Sequence, residues 1–196
     1  MNVAFTRAAE GFPRRAFTVE DIRRMIDAGV LREDEKFELI EGEIVMMAAK
    51  SIAHDRIKNA LTLAFAKALP EGLFVSIEST LQLAENILVE PDVAIISRSV
   101  YAGDPKSFAR PRAEDVLLLV EIAVTSLKYD RDIKARLYAR HGIREFWLID
   151  ANVGVTWIYS GPTADGWASV VERAPGEMLT TPALPGVAVR LDGLDR

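Results

Sequence analysis

The stretch VEPDVAII, residues 89–96, places one acidic side chain, Asp92, among apolar residues typical of a buried β-strand. A carboxylate that leaves water needs a cation, a set of hydrogen bonds or a proton in compensation, so Asp92 requires a partner. Further along, the stretch DVLLLVEIAV, residues 115–124, places Glu121 inside the most apolar run of the chain. Two acids of this kind on two predicted strands indicate a cation that both carboxylates share.

The positions of these acids predict that their side chains converge. Alternate side chains of a strand share one face, so Asp92 and Glu121 can meet if their strands are neighbours. In the helix predicted to follow, Asp130, Lys134 and Tyr138 are four residues apart and lie on one face, from which Lys134 can reach back over the sheet. Two carboxylates with a nearby ammonium suit a Mg²⁺ or Mn²⁺ site whose shell a substrate phosphate completes.

The apolar periodicity around these strands predicts an α/β core. Helical spacing predicts helices from Thr18 to near Gly29, from Ser51 to Leu69 and over residues 128–142. Alternation predicts a hairpin in KFELIEGEIVMM that turns at Glu41 and Gly42, and one half-buried strand over residues 73–83. Central strands are predicted over residues 91–96, 116–124 and 144–150, and an antiparallel pair in GVTWIYS and GWASVVE. The core order is therefore helix, strand, strand, strand, helix, strand, with a helix and hairpin before it and an antiparallel extension after it.

Length and composition bound the class of protein. A chain of 196 residues fits one domain, residues 1–196, in which we expect residues 1–17 to form a loosely ordered arm. Apolar residues make up 49% of the chain and charged residues 27%, which argues against a disordered protein. The absence of cysteine excludes disulfides, thiolate metal sites and a cysteine nucleophile. Since the apolar runs are too short to span a membrane and no signal-peptide core is present, we expect a cytoplasmic protein.

The net charge of -5 is unlike that of a typical nucleic-acid-binding protein, but the charges are unevenly distributed. Residues 98–144 contain ten Lys or Arg and six Asp or Glu, a local charge of +4, while the rest of the chain carries -9. This asymmetry permits a basic face beside an acidic site, although a run of charges is also typical of a solvated surface.

Several motifs in fixed order resemble those of one family. VEPDVAII, followed by LLLVEIAVTSLKYDRDIKARLYARHGIREFWLID at residues 117–150, resembles the Uma2 family, formerly a domain of unknown function, in the restriction-endonuclease-like PD-(D/E)XK superfamily. The resemblance extends from FELIEGEIV to TPALPGVAV, nearly the whole chain. It implies a mixed central sheet flanked by helices and a metal-dependent endonuclease acting on DNA. From the acidic net charge we expect the chain to bind DNA weakly.

The resemblance also implies roles for individual residues. Asp92 and Glu121 would ligate Mg²⁺ or Mn²⁺, and a lysine would orient or activate the attacking water. The superfamily motif has this lysine two residues after Glu121, where this chain has Ala123, and Uma2-like sequences carry a lysine on the next helix, here Lys134. His54 becomes a site candidate on the preceding helix, and the hairpin acids, Glu38 and Glu41, would lie near the cleft.

Each assignment has a structural alternative. Asp92 could cap a turn, Glu121 and Lys134 could form a buried salt bridge without metal, and Lys134 could pair only with Asp130 on the helix surface. His54 could be a hydrogen-bonded core residue. Trp147 and Tyr138 are expected to be core residues, and the hairpin acids could simply be solvated. The chain would then be a catalytically inactive binding or assembly module. A homodimer is also expected, because the apolar strand GVTWIYS could pair at a sheet edge.

Overall fold

The computed structural model describes residues 5–7, 11–32, 34–47, 49–102 and 110–192, and these form two compact units. Unit 1 falls within residues 1–49 and 80–90, and unit 2 within residues 50–79 and 91–196. Residues 103–109, between the predicted strands at 91–96 and 116–124, and parts of the predicted N-terminal arm lie outside the described residues.

The strands alternate with a small number of helices. The strands are β1 (Phe5–Arg7), β2 (Pro13–Arg15), β3 (Phe37–Ile40), β4 (Glu43–Met46), β5 (Leu73–Ile77), β6 (Leu81–Ala84), β7 (Ile87–Val89), β8 (Val93–Ser97), β9 (Val116–Ala123), β10 (Glu145–Asp150), β11 (Thr156–Thr163), β12 (Gly166–Arg173), β13 (Leu179–Thr180) and β14 (Ala188–Val189). The helical segments are α1 (Val19–Asp27), α2 (Ile52–Ala68), α3 (Leu127–Tyr129), a π turn (Asp130–Lys134), α4 (Ala135–Arg140), and two 3₁₀ turns (Arg98–Tyr101 and Ala113–Asp115).

Unit 1 contains a four-stranded sheet in the order β4-β3-β7-β6, helix α1 and the pair β1-β2. Helix α1 begins with a capping box, in which Thr18 and Asp21 each accept from the backbone N–H of the other. The predicted hairpin turns at Glu41 and Gly42, which both have positive φ angles, 50° and 88°, as a two-residue type I′ turn requires. A Cβ on Gly42 would lie 2.6 Å from the Cβ of Ala16, so glycine is required there for space as well.

Unit 2 is built on a six-stranded sheet in the order β12-β11-β10-β9-β8-β5. Strands β9 and β10 are parallel, whereas the other neighbouring pairs are antiparallel, so the sheet is mixed. The predicted fold class, a mixed α/β sheet with flanking helices, is confirmed. Helix α2 lays Leu61 and Phe65 on one face of the sheet, where the buried core comprises Val93, Ile95, Leu118, Val120, Ile122, Trp147, Ile149, Leu179, Leu184, Val187 and Val189.

The prediction of a single strand over residues 73–83 is wrong. The chain divides there into β5 of unit 2 and β6 of unit 1, because Glu78 has a left-handed φ of 46° that ends the extended conformation. The backbone N–H of Glu78 donates to the carbonyl oxygen of Asp92, which is the next opposing position in the register of β5 and β8. The alternation of apolar residues continues across Glu78 without a change of phase. The sequence pattern therefore does not reveal the break between β5 and β6.

The position of the C-terminal hairpin in the sheet differs from the prediction and bears on the expected homodimer. Strands β11 and β12 form the predicted antiparallel pair, but β11 lies between β10 and β12, so GVTWIYS is not a sheet edge as predicted. The edge strands of this sheet are β12 and β5. No helix in the described part of the chain is long and apolar enough to cross a membrane.

Candidate functional site

The two acids predicted to converge lie on neighbouring strands of unit 2. Asp92 immediately precedes β8 and Glu121 lies in β9, and the antiparallel register pairs Val93 with Val120, so the two acids occupy the next opposing positions. The backbone N–H of Ile122 donates to Oδ2 of Asp92 at 2.7 Å. The alternative of a local turn cap is therefore wrong, because the backbone partner of Asp92 belongs to the neighbouring strand.

The other oxygen of Asp92 receives two cationic or polar donors. Nε2 of His54 lies 2.8 Å and Nζ of Lys50 lies 2.9 Å from Oδ1. Burial by itself would raise the pKa of Asp92, but the hydrogen bond from His54 and the charge of Lys50 outweigh it, so its pKa is lowered. The buried acid is thus kept as an anion, and His54, a predicted site candidate, lies in direct contact with it.

Glu121 has its own set of partners on the helical segment that follows β9. Its Oε1 accepts from Nζ of Lys134 at 3.0 Å and from the hydroxyl of Tyr138 at 2.5 Å. Asp130 is more distant from the lysine, with Oδ1 at 3.9 Å, and its Oδ2 accepts from the hydroxyl of Ser126 at 2.6 Å. The buried salt bridge is therefore present, and the alternative in which Lys134 pairs only with Asp130 at the surface is wrong, since the lysine side chain is only 5% exposed.

The helix that supplies Lys134 is not regular. Residues Asp130–Lys134 form a π turn, in which the N–H of Ala135 donates to the carbonyl of Asp130. Such turns are rare and occur frequently at functional sites. Tyr138, predicted as a core residue, is buried as expected and packs edge-on against Phe146, but its hydroxyl also serves Glu121.

Asp92 belongs to a closed ring of polar and charged side chains. Lys50 also lies 2.9 Å from Glu78, Lys58 contacts both Glu78 and Asp55, and Asp55 is 3.3 Å from Nδ1 of His54. The ring runs in the order Asp92, His54, Asp55, Lys58, Glu78, Lys50 and back to Asp92. We define these six residues as the Asp92 ring.

Sequence reasoning missed four members of this ring, which are Lys50, Asp55, Lys58 and Glu78. Lys58 had a detectable signal, because it follows His54 by four residues on the same helix and so shares its face. Lys50 and Glu78 had none: the first precedes the helix, and the second lies at the undetected break between two strands.

The hairpin acids of unit 1 have different environments. Glu38 is buried, only 2% exposed, and accepts from the backbone N–H of Glu90 at 2.9 Å, contrary to the expectation that hairpin acids are solvated. Glu41 occupies the exposed turn.

The donor set at Asp92 and Glu121 fits a hard divalent ion. Both ligand groups are carboxylates, which Mg²⁺ prefers, and this ion is commonly held by one or two carboxylates together with substrate phosphates. Over the described ranges, no group of three or more His, Asp or Glu side chains is arranged to hold a metal ion. The two opposing carboxylates are the groups that could hold such an ion together with a substrate phosphate.

Comparisons with other proteins agree with this architecture. The sequence profile of Uma2, described as "Putative restriction endonuclease", matches residues 19–192. The fold matches the crystal structure of "a putative nuclease belonging to DUF820" from Anabaena variabilis ATCC 29413, with a TM-score of 0.72, 14% identity, and coverage of 91% of this chain and 97% of that chain. At this identity the likeness establishes the fold alone. No curated protein matches the sequence.

Proposed function

Because the chain belongs to the Uma2 family of restriction-endonuclease-like proteins, we propose that it is a divalent-metal-dependent endonuclease that hydrolyses phosphodiester bonds of DNA. The observation that carries the proposal is the pair of buried carboxylates, Asp92 and Glu121, on adjoining strands, each in contact with a lysine. Neighbouring carboxylates repel each other, and a bound cation removes that repulsion.

Each residue has a role in this proposal. Asp92 and Glu121 would hold Mg²⁺ or Mn²⁺, and His54 would orient the carboxylate of Asp92 through Nε2. A bound ion would supply Lewis-acid polarisation of the scissile phosphate. Tyr138 fixes the orientation of Glu121 by donating to Oε1.

Lys134 would take the part of the lysine that the superfamily motif has at position 123. Ala123 is fully buried at the end of β9 and has no functional group to offer. The ammonium of Lys134 contacts Glu121, which lies two residues before Ala123. A lysine on the following helix therefore reaches the same acid that a lysine at position 123 would adjoin. A four-carbon stem gives lysine this reach, and its ammonium can orient the attacking water.

A second candidate function is a binding or assembly module that retains the fold without catalysis. The observation that favours it is the burial of Glu121 and Lys134, whose side chains are each 5% exposed and already neutralise one another. A buried ion pair of this kind satisfies both charges without a metal.

Calorimetry with Mn²⁺ separates the two functions. We expect wild type to bind Mn²⁺, and Asp92→Asn and Glu121→Gln to lose most of that affinity because each removes an anionic ligand. Glu145→Gln is the matched control, since Glu145 is equally buried but contacts Trp147 and Thr181 instead of the site.

A cleavage assay completes the test. Wild type should nick supercoiled DNA when Mn²⁺ is present and leave it intact in EDTA, and both ligand variants should be inactive. Equal Mn²⁺ binding by wild type and the ligand variants, or no binding by any of them, would refute the metal assignment. Metal binding without cleavage would favour the module.

A further inference from the structure

We propose that Lys50 is a further functional lysine of this site and contacts a phosphate of the nucleic acid. The inference deepens the proposed function, and its cleavage test rests on that function. The residue lies directly before the N-cap of α2, outside every motif by which the chain resembles its family.

The position of the Lys50 ammonium carries the proposal. Nζ lies between two carboxylates, 2.9 Å from Oδ1 of Asp92 and 2.9 Å from Oε1 of Glu78. Glu78 is fixed in place from a second direction, because its left-handed backbone donates to the carbonyl of Asp92. The carboxylate that orients the ammonium is therefore tied by its own main chain to the proposed metal ligand.

Exposure distinguishes this lysine from Lys134. The side chain of Lys50 is 23% exposed, whereas that of Lys134 is 5% exposed. A DNA backbone approaches from solvent, so a lysine at the surface of the site can meet a phosphate without unfolding its surroundings. An ammonium has three N–H donors, and within the described part of the chain two carboxylates accept from this one.

The start of α2 adds to the positive potential at the same point. Lys50 and His54 are four residues apart across the N-cap, Ser51, and both reach the same oxygen of Asp92. The first N–H groups of a helix favour a nearby anion, although Asp55 in the first turn opposes this effect. A phosphate beside Asp92 would thus meet a lysine together with the positive end of a 17-residue helix.

Lys58 provides a matched control. It contacts Glu78, as Lys50 does, but its other partner is Asp55 and not Asp92. Its side chain is 13% exposed, so the two lysines differ chiefly in their contact with the proposed metal ligand. A variant of each removes one cation from the same ring.

The first experiment measures binding of a labelled DNA duplex to the full chain in EDTA over a range of salt concentrations. Lys50→Met and Lys50→Gln should each reduce the slope of log K against log salt by about one, the loss of one phosphate contact. Lys50→Arg should restore the slope, and Lys58→Met should leave it unchanged. Glutamine keeps a hydrogen bond to Asp92, so it serves if methionine impairs folding.

The second experiment measures cleavage and Mn²⁺ binding with the same proteins. Lys50→Met should lower kcat by about 100-fold, as loss of one group that stabilises transition-state charge does, while Mn²⁺ binding persists. Lys58→Met should lower kcat less than Lys50→Met does, because Lys58 contacts Asp55 and Glu78 and not Asp92.

The outcomes separate this inference from the proposed function. If wild type binds no DNA in EDTA, or Lys50 and Lys58 variants have equal slopes, the assignment of Lys50 is refuted. If wild type fails to cleave, the proposed function fails, while the difference in slope still decides whether Lys50 contacts phosphate.

Discussion

Replacement of Lys134 by methionine tests whether the buried ion pair serves structure or catalysis. Methionine keeps most of the apolar stem and removes the ammonium, which leaves Glu121 with the Tyr138 hydroxyl but without its cation. Because both partners of the pair are 5% exposed, little solvent is available to stabilise the stranded carboxylate.

The expected loss follows from this burial. Breaking a buried ion pair by removal of one partner costs about 3–5 kcal/mol of unfolding free energy. For a chain of this size each kcal/mol lowers Tm by about 2–4 °C, so Tm should fall by about 6–20 °C. Urea unfolding followed by circular dichroism, together with calorimetric Tm, measures both quantities.

The double variant Glu121→Gln/Lys134→Met supplies the control. It removes both charges and keeps an oxygen acceptor for Tyr138, so it should recover most of the stability that Lys134→Met loses. Mn²⁺ should likewise raise the Tm of the single variant, because an ion at Glu121 would replace the missing cation.

Two results would refute the reasoning. A loss below about 1 kcal/mol for Lys134→Met would mean that the pair is screened as a surface pair is. A double variant as unstable as the single variant would mean that the two side chains are not energetically coupled. A folded, Mn²⁺-loaded Lys134→Met that cleaves as fast as wild type would remove the lysine from the proposed mechanism.

Two further predictions concern regions outside the site. Burial raises the pKa of Glu145 above 4.5 despite the hydrogen bonds from Thr181 and Trp147. The protonated side chain therefore stabilises the folded chain at pH values below about 4.5, and this stabilisation is lost as pH rises through the pKa of the folded state. The stability of Glu145→Gln relative to wild type should therefore increase from pH 4 to pH 7 in thermal melts, and a constant difference would contradict this. Gly42→Ala should lose more than about 1 kcal/mol, because φ is positive and the new Cβ would meet Ala16. Gly72→Ala, which has a similar φ of 92° and open space, should lose less, and equal losses in urea unfolding would exclude the clash.

The helices and strands predicted from the spacing of apolar residues are present where that spacing depends only on which residues are buried. Helix α2 lies within one residue of its predicted limits, because Ser51 caps its first turn and Pro70 follows its last. Strand β9 is confirmed because a continuous apolar run is what a strand covered on both faces requires.

The contacts that make the site depend on pairings that periodicity does not contain. The hydrogen bond between Ile122 and Asp92 spans 30 residues and follows from the order of strands in the sheet. The approach of Lys50 to Asp92 spans 42 residues and needs the break at Glu78 to bring a second carboxylate alongside. A pattern of apolar positions fixes which face a residue occupies, but not which polar group from another element will meet it.

The distribution of charge around Asp92 and Glu121 is consistent with the divalent ion of the proposed function. Among the described residues in contact around Asp92 and Glu121, five carboxylates face three ammonium groups, which gives a formal charge of -2 without His54. The acids are Asp55, Glu78, Asp92, Glu121 and Asp130, and the lysines are Lys50, Lys58 and Lys134. A cluster kept only for structure gains from complete internal neutralisation, because each unbalanced buried charge costs free energy. A dication held by Asp92 and Glu121, as proposed, would offset this formal charge at the two opposing positions that carry the proposed ligands.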